Sequence, residues 1–82
     1  MSCFKINLII VIDTECWTCR IGKRSPMSHV FNIIAKREGM EFEKFTLQMT
    51  DGMEINYKSS DQHTVSSCGL RDLDEVKVIV SP

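Results

Sequence analysis

The stretch from Ser25 to Gly39, SPMSHVFNIIAKREG, constrains the fold more than any other. Met27, Val30, Phe31, Ile33 and Ile34 recur at the spacing of three and four that brings side chains onto one side of an α-helix. Ser25 suits the N-cap, and Pro26 suits the first helical position, where a missing N–H costs nothing. Lys36 and Arg37 lie in the last turn, where the helix dipole favours cations. Gly39 can adopt the left-handed conformation that ends a helix. A single amphipathic helix needs an apolar surface to cover, and the flanking segments supply one.

Those segments alternate as strands do. Phe4, Ile6 and Leu8 interleave with Lys5 and Asn7, which places the first three against the helix. From Leu8 to Ile12 both faces are apolar, the pattern of a strand with neighbours on each side. Asp13 and Thr14 form a turn, and Glu15 to Lys23 returns as an antiparallel partner. Its inner face is Trp17, Cys19 and Ile21; Cys16, Thr18, Arg20 and Gly22 face outward. A charged outer row with a glycine suits a sheet edge.

After the helix, Phe45, Leu47 and Met49 alternate with Thr46 and Gln48 as a third strand. Thr50-Asp51-Gly52 is a turn, and Met53, Ile55 and Tyr57 make a short fourth strand. Lys58 to Gln62 reads as polar loop. Thr64 to Leu70 reads as a capped single turn anchored by Val65 and Leu70. Glu75 to Val80 closes the chain as a strand, with Val76, Val78 and Val80 inward and Lys77 and Ile79 outward. A right-handed crossover covering one face brings this last strand into the sheet centre, parallel to the first. The expected fold class is therefore α+β, a mixed sheet of four or five strands with one helix across it, in a single domain spanning 1–82.

Net charge is −1, but the two halves differ. Met1 to Gly39 carries six lysines and arginines against three acids, whereas Met40 to Pro82 carries four against eight. That is a two-faced surface, basic near the helix, and not the overall basic domain that nucleic-acid binding asks for. The apolar run Leu8–Ile12 is far too short to span a membrane or serve as a signal peptide. Cys3, Cys16, Cys19 and Cys68 are accordingly read as reduced thiols of a cytoplasmic or nuclear chain.

Cys16-Trp17-Thr18-Cys19 invites a redox or zinc reading. Residues i and i+3 of a strand point to opposite faces, so the two sulfurs diverge, and a second cysteine pair at knuckle spacing is absent. A thiol or zinc protein built on Cys16 and Cys19 stays as an alternative, with structural thiols preferred. His29 is read as solvated on the helix and Trp17 as core. No catalytic, metal or cofactor site is expected, and the chain is read as a non-enzyme.

In its order of elements the chain resembles the ubiquitin family. Met27, Val30 and Ile34 resemble the family's inward helix positions, and Lys36-Arg37-Glu38-Gly39-Met40 its helix terminus. Phe45-Thr46-Leu47-Gln48-Met49 is similar to its third strand, and Thr64-Val65-Ser66-Ser67-Cys68-Gly69-Leu70 with Val76, Val78 and Val80 to its closing segment. Asp51-Gly52-Met53-Glu54-Ile55-Asn56 is similar to the ubiquitin-fold modifier, and Asp61 to Thr64 to SUMO. The resemblance implies a β-grasp fold and a non-catalytic domain or adaptor that binds other proteins, either a ubiquitin-like pathway component or a short acidic-apolar peptide motif, as a monomer, without nucleic acid or membrane. Conjugated members end in glycine, whereas Val80 here is followed by Ser81-Pro82; a modifier lacking its tail is the alternative. Gln48 and Lys77 occupy two positions of the ubiquitin recognition patch, and Ile79 keeps its apolar character.

Two partner surfaces are expected, the first from the basic residues beside the helix and the likeness to SUMO-like proteins, the second from strand alternation alone. SUMO-like proteins take an extended acidic-apolar peptide as an added strand in a groove beside the helix. Here that groove comprises Thr18, Arg20, Gly22, Lys23, Arg24, Phe31, Lys36 and Arg37, with Phe31 in its floor. The second is the open sheet face of Ile9, Val11, Thr46, Gln48, Lys77 and Ile79, where the register of the first strand decides whether Ile9, Val11 and Ile79 form one apolar patch.

Overall fold

A computed structural model describes residues 4–81. Cys3, read above as a reduced thiol, lies outside them. Strands β1 (Lys5–Ile12) and β2 (Glu15–Gly22) form a hairpin, and α1 (Met27–Glu38) follows. A 3-10 turn (Phe42–Lys44) leads into β3 (Phe45–Gln48), β4 (Glu54–Ile55), the one-turn helix α2 (Tyr57–Ser60) and β5 (Glu75–Val80). The sheet order is β2-β1-β5-β3-β4. As the pattern predicts, β5 enters centrally, parallel to β1 and antiparallel to β3.

The core lies between α1 and the inner sheet face. Leu8, Ile10, Met27, Val30, Phe31, Ile34, Leu47, Val65 and Val76 are fully buried there. Burying one such side chain contributes roughly 1.5–3 kcal/mol relative to leaving it in water. Alternation of β1 puts Ile6, Leu8 and Ile10 inside and leaves Ile9 and Val11 half-buried on the opposite face.

Several local expectations change. Ser25 does not cap α1: Pro26 occupies the N-cap in extended conformation, with no side-chain hydrogen bond. The first helical donor is met by backbone instead, Met27 N–H donating to the His63 carbonyl at 2.8 Å. The Ser25 carbonyl meanwhile accepts from Val65 N–H at 3.0 Å. Ser25 is thus held in the crossover between Gly22 and the Thr64 turn. At the other end Gly39 adopts φ 67° and its N–H donates to the Ala35 carbonyl, as its position predicts.

Phe4 is 59 % exposed, not inward; it precedes β1 and packs under the Arg24 guanidinium, 5.6 Å from the ring centroid. Val80, in the last pair of the β3–β5 ladder, is 51 % exposed at the rim of the core. The fourth strand is shorter than predicted. Met53 is exposed, and Tyr57 opens α2 because Asn56 caps it, its Oδ1 accepting from Ser59 N–H at 3.0 Å. The Lys58–Gln62 stretch is therefore helical at its start. The Thr64 turn is capped from both sides, Ser67 N–H donating to Thr64 Oγ1 at 3.0 Å and Thr64 N–H to Ser67 Oγ at 2.8 Å. Val65 and Leu70 are buried beneath it, as expected.

Candidate interaction surfaces

The first surface is the β2 edge. β2 pairs with β1 alone, so one row of its backbone groups faces away from the sheet. Lys23 N–H donates to the Phe4 carbonyl at 2.7 Å, which sets the phase of the ladder. Alternation then turns Ile21, Cys19, Trp17 and Glu15 toward β1 and Gly22, Arg20, Thr18 and Cys16 outward. The Gly22 carbonyl is taken by Ser25 N–H at 3.1 Å. Cys16, Thr18 and Arg20 remain as the open stretch of edge.

Between this edge and α1 lies a hollow of about 400 Å³ lined by Trp17, Thr18, Cys19, Arg20, Ile33, Lys36 and Arg37. Its floor is not Phe31. That ring is 0 % exposed, stacked on Phe45 at 5.2 Å on the side of α1 that faces the sheet. Position 33 is two residues further round the helix, and Ile33, half-buried, fills the role instead. Trp17, expected in the core, is half-buried and forms a wall. Arg37 lies over the indole at 4.3 Å, and Trp17 Nε1–H donates to Glu38 Oε2 at 3.1 Å.

Of the residues predicted for this groove, Thr18, Arg20, Lys36 and Arg37 come together. Gly22 lies at the closed end of the edge. Lys23 lines a separate hollow with Ile6, Leu70 and Arg71, and Arg24 covers Phe4. Ile33 and Trp17 were missed as floor and wall. Their signal was present: Ile33 precedes Lys36 by three, and Trp17 shares the inner face of β2 at its exposed end.

The second surface is the outer sheet face. Ile9 and Val11 do point outward, so the register places them with Ile79. Val11 pairs with Lys77, and Ile79 is two residues further along β5, diagonal to Val11. Thr46 pairs with Ile79 and Gln48 with Lys77. All six predicted residues share the face, with Lys77 exposed among half-buried neighbours.

The cysteines behave as the strand geometry predicts. Cys16 is exposed on the outer face and Cys19 buried on the inner one, so the two cannot grip a common ion. Burial raises the Cys19 thiol pKa. Burial also raises that of Cys68, with Asp51 adding to the rise and a Ser67 hydrogen bond opposing it. Neither resembles the electropositive setting of a reactive thiol. Among the described residues no three histidine, cysteine or acidic side chains gather as a metal site, and no helix is long and apolar enough to cross a membrane.

This architecture, one helix across a mixed sheet ordered β2-β1-β5-β3-β4, is the ubiquitin-like β-grasp. Solved structures of that class superpose on nearly the whole chain. The N-terminal ubiquitin-like domain of the 4931431F19Rik protein matches with a TM-score of 0.81 at 21 % identity, covering 99 % of this chain and 79 % of that one. The ubiquitin-like domain of Arabidopsis thaliana At2g32350 gives 0.84 at 16 %, covering 99 % and 82 %. Ubiquitin of Caldiarchaeum subterraneum gives 0.81 at 15 %, covering 95 % of each. No family model and no curated protein matches the chain.

Proposed function

We propose that this chain is a non-catalytic ubiquitin-like interaction domain that binds an extended acidic-apolar segment of another protein along β2. The observation that carries the reading is the open edge itself. Cys16, Thr18 and Arg20 present backbone groups that no described residue pairs with, directly beside a hollow with an apolar floor and three cations. An added strand would hydrogen-bond to that row, set apolar side chains on Ile33 beside the Trp17 wall, and place its acids near Arg20, Lys36 and Arg37. Nothing in this chemistry needs a nucleophile or a metal. SUMO-like specificity, an adaptor role and residence in cytoplasm or nucleus belong to the same proposal.

The test is a fluorescein-labelled peptide alternating valine with aspartate, titrated by anisotropy. Charge reversal at Arg20 and Arg37 together should weaken it at least ~10-fold, the equivalent of about 1.4 kcal/mol, and added salt should weaken it in the parent protein. Thr18→Pro removes an outward N–H that no described residue accepts from, and should also abolish binding while the fold persists. Binding unchanged by both variants would remove the groove from consideration. The outer face offers a second reading because Ile9, Val11 and Ile79 lie together around Lys77; Val11→Asp separates the two.

A further inference from the structure

Across the helix from the β2 groove, the sheet margin has the opposite character. Met40, Glu41, Phe42, Glu43 and Tyr57 line a hollow of about 510 Å³. Phe42 lies flat on Tyr57, centroids 4.3 Å apart and planes 10° apart. Tyr57 meets Phe31 edge-on at 5.8 Å, and Phe31 stacks on Phe45. A ladder of four rings therefore runs from the core to the surface, and its outer end is a platform whose position is set by buried packing.

The chain treats its other exposed aromatic surfaces differently. Arg24 covers Phe4 and Arg37 covers Trp17. Among the described residues the Phe42–Tyr57 pair has no such cation, although two glutamates flank it. Neither carboxylate makes a side-chain hydrogen bond or ion pair with a described residue, and both are exposed. Lys58 lines the adjoining hollow, which Phe42, Glu43 and Tyr57 share with Thr46 and Asn56, so a lysine stands beside the platform on its Glu43 side. Lys44 is exposed at the end of the 3-10 turn. A ring face with negative quadrupole, a thioether and two unpaired carboxylates together match a flat, hydrophobic-faced cation.

We propose that this hollow binds a segment of a partner protein carrying an arginine between apolar residues. The guanidinium lies against Phe42 and is held by Glu41 and Glu43, while the flanking apolar groups contact Met40 and the Tyr57 edge. The ligand is opposite in charge to the one proposed for β2, so one chain can join two unlike partners.

The probe is a fluorescein-labelled peptide alternating arginine and leucine, with a twin in which citrulline replaces arginine at the same shape without charge. Binding to the full chain should be saturable and confined in amide shift maps to Met40–Lys44 and Tyr57–Lys58. Glu41→Gln with Glu43→Gln, exposed sites that leave the fold intact, should weaken it at least tenfold, as should the citrulline twin. Arg20→Glu with Arg37→Glu should leave it unchanged. The assignment is overturned if citrulline binds equally, if the glutamine pair binds as well as the parent, or if no saturation occurs. It is also overturned if sedimentation of the protein alone shows concentration-dependent self-association that either variant pair abolishes, because the hollow then holds an arginine of a second copy.

Discussion

Truncating Phe31 distinguishes a core ring from a groove floor. The side chain is 0 % exposed, stacked on Phe45 at 5.2 Å and edge-on to Tyr57 at 5.8 Å. Replacing a buried phenylalanine with alanine costs about 3–5 kcal/mol, because the lost transfer energy is joined by the cavity left behind. A domain of 82 residues has roughly 4–12 kcal/mol in total at ~0.05–0.15 kcal/mol per residue. Phe31→Ala should thus remove between a quarter and all of it. Phe31→Leu keeps most of the volume and should cost about 1–2 kcal/mol. In a domain of this size each kcal/mol lowers Tm by about 4–8 °C. Ile33→Ala, at a half-buried site, should cost less than about 1.5 kcal/mol while weakening the acidic peptide. Urea and thermal melts followed by far-ultraviolet circular dichroism give the stabilities, and anisotropy the binding. A Phe31→Ala loss under about 1.5 kcal/mol would refute the packing. A folded Phe31→Leu that no longer binds the acidic peptide would return that ring to the groove.

Gly39→Ala should cost about 1 kcal/mol: φ is 67° and an added Cβ meets nothing within 4 Å, so the penalty is conformational alone. Leu73 has φ 69° and is 61 % exposed, so Leu73→Gly loses little burial and relieves strain, raising stability by roughly 0.5 kcal/mol in a urea titration. The buried thiols set an alkaline limit. Below the ordinary thiol pKa of 9.0, Cys19 and Cys68 are neutral in folded and unfolded chains alike. As pH rises past that value the unfolded chain loses protons first, so stability falls and keeps falling through the folded pKa. Cys19→Ala with Cys68→Ala should flatten that decline in melts run across the alkaline range. In a thiol-reagent time course at neutral pH, Cys16 should react well before either.

The helix, the hairpin and the central place of the last strand were legible because each writes a period into the chain. Val30, Ile34 and Gly39 carry α1, and the two-faced apolar run Leu8–Ile12 can only sit between neighbours. What was not legible depends on contacts between distant segments. Ser25 looks like an N-cap, yet its carbonyl is claimed by Val65 and its helix is capped by the His63 backbone. Tyr57 continues an alternating pattern, yet Asn56 with Ser59 makes a local cap that turns the chain into α2. That signal was readable and was outweighed by the alternation.

The groove shows how much a two-residue step decides. Phe31 and Ile33 are both apolar and both on α1, and the apolar period alone does not say which faces the sheet and which faces the β2 margin. Packing decides it, since the aromatic ladder through Phe45, Tyr57 and Phe42 draws Phe31 inward. The same event leaves Ile33 beside Lys36 and Arg37 on one flank and carries the ladder out to Glu41 and Glu43 on the other. Two acids of the second half, Glu41 and Glu43, thereby lie across α1 from Arg20, Lys36 and Arg37 of the first. On the two proposals together, α1 separates the margin that takes an acidic segment from the one that takes a basic segment, so neither ligand displaces the other. Simultaneous titration with both labelled peptides should therefore give a ternary complex with independent affinities, and competition between them would contradict the division.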